Sequence, residues 1–352
     1  MHTKKISLLL VLVLSVIFFE RCSKTETAVV EETYSRPVLP ATAFNYAETY
    51  PDFIMNSLAI NDNTPADNLI TNDGATLGRV LFYDKNLSAN KTISCSSCHS
   101  PQESFSDNDI LSKGFDGGLT ARHSMPLLNV RFYKSGKMFW DERSPSLEKQ
   151  VLQPIQNAVE MGLTLTELET RVKALDYYPS LFQKAFGSSD IDSLKISKAL
   201  AQFVRSIVTY KSKYDFVKQG LQVFTADEAT GEDLFLHKGG VKSCAGCHAP
   251  PMFLTSSPVD PFALLDPNDH GINNENRFKV GSLRNIVLRS SLFHNGSVSN
   301  AQNMLNRIPG GPQPPIPAHS VTPEDAQKLF AFLSTLTDES ILTEEKFGNP
   351  FE

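Results

Sequence analysis

The chain has 352 residues, room for two domains of ordinary size that can each bury a core. Its 33 basic and 39 acidic residues give a formal charge of −6, which argues against nucleic acid as a partner. Five cysteines are present, one near the N-terminus and four in two spaced pairs.

In chain order, Met1-His2-Thr3-Lys4-Lys5 and the apolar run from Ile6 to Phe19 have the charged start and short apolar core of an export signal. The run is too short for a comfortable membrane span, so the expected location is the periplasm. Cys22 stands where a bacterial lipoprotein is cleaved and acylated, which makes residues 1–22 a signal with a candidate lipid anchor. Glu20-Arg21 occupy places where small residues are expected, and a soluble periplasmic product with a spare thiol is the alternative. Without residues 1–21 the chain keeps 30 basic and 38 acidic residues, a formal charge of −8. Residues 23–45, with Thr, Glu and Pro and little periodicity, read as a linker.

A first domain is expected over 46–218 and a second over 219–352. Gly78-Arg79-Val80-Leu81-Phe82-Tyr83 and Gly231-Glu232-Asp233-Leu234-Phe235-Leu236 read as one helix used twice, a weak internal repeat. Each precedes a Cys-x-x-Cys-His motif: Cys95-Ser96-Ser97-Cys98-His99 and Cys244-Ala245-Gly246-Cys247-His248. That motif is the attachment site of a c-type haem. Two thiols three residues apart on one helical turn can bond the two haem vinyl groups, and the adjacent imidazole then binds iron. Two such pairs can also make one zinc site, but their separation of about 145 residues and the His after each second Cys argue against zinc. A thioredoxin-like redox pair belongs beside a βαβ pattern, which is missing here. With four cysteines given to haem and the fifth at the signal junction, no disulfide is expected.

A loop rich in Gly, Asp and Ser over 100–121 is long enough to be functional. The only tryptophan lies in Met138-Phe139-Trp140-Asp141-Glu142-Arg143. Helical spacing is found over 147–152 and over 163–175, the latter with Thr164 or Thr166 as cap and Glu167 and Glu169 in its first turn. Ile196, Leu200, Phe203, Val204 and Ile207 predict an amphipathic helix over 196–217 that closes the first domain. Thr322 as N-cap and Pro323 at the first helical position start a last helix reaching Leu336. Such a terminal helix, crossing the one ahead of the haem motif, is what a cytochrome c module needs to enclose its ring. The whole reads as mainly α, with long loops.

The two haem motifs, Phe139-Trp140-Asp141-x-Arg143, Asn157-x-Val159-Glu160-Met161-Gly162, Phe278-Lys279-Val280 with Leu283-Arg284-Asn285, and Phe293-His294-Asn295-Gly296 recur in order. Together they make nearly everything after residue 75 resemble the bacterial di-haem cytochrome c peroxidases and their MauG-type relatives. The resemblance implies two cytochrome c-like domains, each with one covalently bound haem c. His99 is then the proximal ligand of a peroxidatic haem held by Cys95 and Cys98, and His248 that of an electron-transfer haem held by Cys244 and Cys247. Trp140 matches a tryptophan between the rings, Glu160 a distal carboxylate and Gln150 a distal glutamine. Uneven splitting of a peroxide needs a proton moved from one oxygen to the other, so one group must act first as base and then as acid. A carboxylate with a pKa adjusted by burial can do both.

The sequence departs from the family in three places. Phe115 stands where the well-known peroxidases carry a loop histidine that caps the resting iron, so the expectation is an open distal side with no reductive activation. His123, next to Arg122, stands where the family often has Asn and is read as a substitute cap or a hydrogen-bonded loop residue. The second haem's distal ligand position falls on Ile308, which cannot bind iron; Met304, one turn earlier, is the candidate ligand and would raise that haem's potential. The family's interdomain calcium draws on that Asn and on a Thr-x-Pro segment that is Arg289-Ser290-Ser291 here, so calcium stays open.

The leading expectation is reduction of hydrogen peroxide to water with electrons from a small periplasmic carrier, a cytochrome c or cupredoxin. A MauG-like oxidation of a partner protein or organic substrate is the second, and a non-catalytic di-haem electron carrier the third. Glu160 and Gln150 speak against the third, because a carrier has no use for a distal acid. Relatives are often dimers, and a homodimer is left open.

Overall fold

Two pairs of crossed helices organise the chain. In order, the first are α1 (Asp52–Asn61), α2 (Asn72–Tyr83), α3 (Leu147–Gln150), α4 (Gln153–Gln156), α5 (Leu165–Ala174), α6 (Tyr178–Phe186), α7 (Ser193–Ser206) and α8 (Lys213–Lys218). They are followed by α9 (Ala226–His237), α10 (Cys244–Cys247), α11 (Ala301–Leu305), α12 (Pro323–Ser334) and α13 (Ser340–Thr343). This computed structural model describes residues 35–237, 243–255, 268–306 and 321–351, and those from Arg36 onward fall in one compact unit. Among the described residues there are isolated β-bridges, and no helix is long and apolar enough to cross a membrane. The signal, Cys22 and Ile308 lie outside the described residues.

The pairs are built alike. α2, capped by Thr71, crosses α7 at Gly78, where an added Cβ would sit 2.0 Å from the Ala199 carbonyl oxygen and 2.8 Å from Phe203 Cβ. α9 crosses α12 at Gly231, where the same atom would sit 2.0 Å from the Lys328 carbonyl oxygen and 2.8 Å from Phe332 Cβ. Only glycine allows backbones this close. Four residues on, one helical turn along the same face, Phe82 meets Phe203 and Phe235 meets Phe332, each pair with ring centroids 5.3 Å apart. The repeat read from Gly78 and Gly231 is thus a repeat of packing, and α12 crosses α9 as a haem-enclosing helix should.

Around α2, α6 and α7 lies one apolar cluster; Phe235, Phe253, Met304 and Phe332 belong to another. A third joins Tyr50, Ile54 and Leu58 to Tyr133, Val208 and Met252. The C-terminal segment returns to the first cluster with Ile341 and Phe347, and the Gly348 carbonyl accepts from Arg79 Nε at 2.7 Å. Part of the expected linker is attached as well: Leu39 and Phe44 pack on that cluster, and Val38 N–H bonds the Pro350 carbonyl at 2.6 Å.

Thr164 caps α5 through a reciprocal bond with Glu167, and Thr322 caps α12. The long helix expected over 196–217 is a correction. It ends at Ser206 and restarts at Lys213, because distant side chains take the intervening backbone groups. Asn129 Oδ1 accepts from Thr209 N–H, while Asp338 Oδ2 accepts from Tyr210 and Lys211 N–H, each at 2.9 to 3.0 Å. Tyr214 on α8 then packs in the second cluster.

Candidate functional site

The first haem motif is a single turn, Cys95–Ser97, closed by reciprocal bonds between Ser94 and Ser97. Behind it His99 Nδ1 lies 3.0 Å from the Phe105 carbonyl oxygen. A carbonyl only accepts, so the ring proton sits on Nδ1 and the Nε2 lone pair is left to bind a metal. Burial pushes the Cys95 thiol up to about 12 and the Cys98 thiol up to about 11. A redox-active pair needs the opposite shift. Among the described residues no three His, Cys, Asp or Glu side chains converge as a metal site would.

His99 opens on a cavity of about 650 Å³, of the size that holds a cofactor. Trp140, Arg143, Gln150, Glu160 and Lys279 also line it. Gln150 is the last residue of α3, which Ser146 caps. Glu160 is fixed through its loop. Asn157 Oδ1 accepts Val159 N–H at 2.8 Å and Glu160 N–H at 3.3 Å, and the Asn157 carbonyl accepts Gly162 N–H at 2.9 Å. Gly162 takes φ +72°, a conformation that favours glycine. Burial raises the pKa of the Glu160 carboxyl, and the Arg143 charge works against that rise. The guanidinium of Arg143 lies 3.6 Å from the Phe139 ring centroid and bonds Asp141 at 2.8 Å, which leaves it beside Glu160 without neutralising it.

The 100–121 loop is fastened to the same place. Phe115 N–H donates to the Glu160 carbonyl at 2.9 Å, and the Phe115 ring packs on Gly162, where a Cβ would lie 2.6 Å from it. A Cβ on Gly114 would fall 1.6 Å from the Val159 carbonyl oxygen, so this approach needs glycine too. His123 is the hydrogen-bonded loop residue of the two readings given to it: its Nε2 lies 3.1 Å from Ser106 Oγ and its Nδ1 3.1 Å from the Ile110 carbonyl oxygen.

Trp140 sits at the junction with the C-terminal half. Its indole N–H donates to the His123 carbonyl at 2.8 Å, and its ring stands edge-on to His294 with centroids 6.5 Å apart. Lys279 N–H donates to the Trp140 carbonyl and His123 N–H to the His294 carbonyl, both at 2.8 Å. In the second half the helical turn Cys244–Cys247 packs against α9 and leads into His248. Met304 is buried on α11 in the second apolar cluster, and Asn300 caps that helix.

The profile of the di-haem cytochrome c peroxidase family matches residues 72–222. The chain is 32% identical over 293 residues to the methylamine utilization protein MauG of Methylorubrum extorquens, covering 78% of this chain and 81% of that one. The chain belongs to the di-haem cytochrome c peroxidase family. Another member, the cytochrome c551 peroxidase of Nitrosomonas europaea, is 31% identical over 280 residues, covering 75% of this chain and 80% of its own. Among solved structures, a MauG-like protein associated with microbial copper homeostasis superposes with a TM-score of 0.75 at 28% identity, over 88% of this chain and all of that one. The di-haem peroxidase BthA of Burkholderia thailandensis shares the fold, with a TM-score of 0.64 over 78% of this chain and 89% of its own, at 21% identity. Membership of a di-haem family implies two haem c groups and an oxidoreductase of the peroxidase or oxidase kind.

Of the sequence-predicted residues, His99, Trp140, Gln150 and Glu160 share the cavity, while Met304 lies in the cluster that also takes in Cys244. Lys279 was visible only as part of a motif. Its amine is buried 4.1 Å from the Tyr133 ring centroid and donates to the Lys137 carbonyl at 3.0 Å. Burial pulls its pKa down to about 7. Arg122, which bridges Asp141 at 2.7 Å and Asp269 at 2.6 Å, has no signal in the sequence beyond its neighbour His123.

Proposed function

We propose that the chain is an exported di-haem enzyme that reduces hydrogen peroxide to water at its first haem site. Electrons would come through the second site from a small periplasmic carrier, a cytochrome c or cupredoxin. The observation that carries this reading is Glu160, a carboxyl of raised pKa held by its own loop in the cavity that His99 also lines.

In this reading residues 1–22 are the export signal, with Cys22 the candidate lipid anchor. Residues 46–218 form the peroxidatic module and 219–352 the electron-transfer module. Cys95, Cys98 and His99 would hold the first haem and Cys244, Cys247 and His248 the second, with Met304 as a further candidate ligand of the second. Bound haem iron supplies the redox chemistry of oxygen–oxygen cleavage. Glu160 takes the proton from one peroxide oxygen and returns it to the other, and Gln150 orients the substrate beside it. Trp140, bonded to His123 and edge-on to His294, spans the junction that electrons must cross. The Phe115 ring rests on Gly162 and its N–H on the Glu160 carbonyl, so the loop is held by contacts of its own and would offer no side-chain ligand to a haem here.

A MauG-like oxidation of a partner protein or organic substrate is the second reading, favoured by Phe115 in place of the loop histidine. Similarity does not choose between the two, since the peroxidase and MauG relatives match at 31% and 32% identity. Peroxide consumption with reduced cytochrome c, compared between wild type and Glu160→Gln, tests the proposal. Loss of a positioned acid–base group is expected to slow turnover roughly 10²–10⁴-fold. Undiminished activity would remove Glu160 from its role.

A further inference from the structure

The family resemblance implies a calcium ion at the junction of the two halves, drawing on an Asn and a Thr-x-Pro segment where this chain has His123 and Arg289-Ser290-Ser291. Calcium takes six to eight oxygen ligands. The side chains present here do not suit it. An Asn can offer an oxygen, but the buried imidazole of His123 offers ring nitrogen instead, with Nδ1 3.2 Å and 3.1 Å from the carbonyl oxygens of Asp109 and Ile110.

Arg289 adds a charge of its own. It is 8% exposed, and its Nη2 donates to the Ser282 carbonyl at 3.4 Å. Burial pulls the His123 imidazole's pKa down, and the nearby Arg289 guanidinium adds to that fall. Burial lowers its own pKa to about 10, so it stays cationic at neutral pH. Its neighbours Ser282 and His123 line the cavity shared with His99 and Trp140. Among the described residues the Arg289 Nε is buried with no hydrogen-bond partner. A buried charge requires a counter-charge. Without one, this guanidinium repels any second cation that enters the junction.

We propose that Arg289 is a fixed cation of the inter-haem junction and that the chain binds no calcium there. The proposal rests on two bound haems and is independent of which substrate they serve.

The test uses the purified holoprotein. Elemental analysis after dialysis against EGTA is expected to find no stoichiometric calcium, and potentiometric titration of both haems is expected to be the same with EGTA and with millimolar calcium chloride. One calcium per chain that survives dialysis, or potentials that move on chelation and recover on re-addition, would overturn it. Arg289→Gln removes a positive charge that disfavours the ferric state, so at least one haem potential should fall, with Arg289→Lys nearer wild type. Potentials unchanged in Arg289→Gln would also overturn it. Both readouts are separate from peroxide turnover, so they fail or succeed independently of the role given to Glu160.

Discussion

The buried Asp215–Arg284 pair fastens the second haem motif to the rest of the chain, and its removal gives a sharp test of that architecture. Both side chains are fully enclosed. Asp215 Oδ1 accepts from Arg284 Nη2 at 2.7 Å, and Oδ2 accepts from Arg284 Nη1, Ser212 N–H and Ser212 Oγ at 2.7 to 2.9 Å. The same guanidinium reaches the Pro251 carbonyl through Nε at 2.9 Å, so it ties α8 to the segment just after His248. Asp215→Asn keeps the shape but turns one acceptor into a donor facing other donors, and leaves the guanidinium without its counter-charge. Breaking a buried pair from one side costs about 3–5 kcal/mol. At about 2–4 °C per kcal/mol for a domain of 150–250 residues, the melting temperature should drop by roughly 6–20 °C. Thermal melts of the holoprotein, followed by circular dichroism and by haem absorbance, measure it. The double variant Asp215→Leu with Arg284→Met removes both charges together and should recover most of the loss. A melt of Asp215→Asn within about 2 °C of wild type would refute the reasoning, because the expected range begins well above that.

Four further outcomes bear on the site. Glu160 must be ionised to take the first proton, and burial raises its pKa, so kcat/KM should fall as the pH drops through that raised value. Arg143 opposes the rise, and Arg143→Met should move this acid limb to higher pH; an unmoved limb would separate Arg143 from the acid–base group. Met304→Ala should alter the visible spectrum of the second haem, and a spectrum identical to wild type would rule the ligand out. Resting-state EPR should contain a high-spin signal from a first haem with an open distal side, whereas only low-spin bis-histidine signals would contradict the reading of Phe115.

What the sequence shows and what it hides divide along a physical line. Contacts between residues close in the chain are legible: the two haem motifs, the Thr164 and Thr322 caps, and the glycines at 78 and 231, which lie four residues before a phenylalanine in both helices. The break after Ser206 is not legible, because it is made by Asn129 and Asp338, about 80 and 130 residues away, which take backbone bonds that a longer helix would have used itself. The apolar spacing through Ile207 is real, yet it reports burial and not continuity. Likewise nothing in the spacing of Arg289 distinguishes a surface arginine from a buried one.

The repeat extends further than its helices, and that bears on Trp140. Asn129 and Asn285 both adopt the left-handed conformation, at φ +60° and +57°, and donate N–H to the carbonyls of Ile207 and Leu336 just past α7 and α12. Leu127 and Leu283, two residues before them, donate to the carbonyls of Phe105 and Phe253 after the two haem motifs. Farther on, Phe139 and Phe293 take φ +68° and +69°, in turns closed by the bridges Met138–Ser144 and Leu292–Val298. Trp140 and His294 each follow that phenylalanine, so they are the same position in two copies of one turn. Their carbonyls accept from Lys279 and His123, each four residues before the leucine of its own half, so each turn is held by the opposite copy. A duplicated module that docks on its own twin through one turn brings the two copies of that position together. With tryptophan in one copy and histidine in the other, the junction acquires a redox-capable ring without any change in the backbone that holds it. Trp140 is therefore placed by the duplication itself, and its surroundings are set by the same hydrogen bonds that hold the two halves in contact.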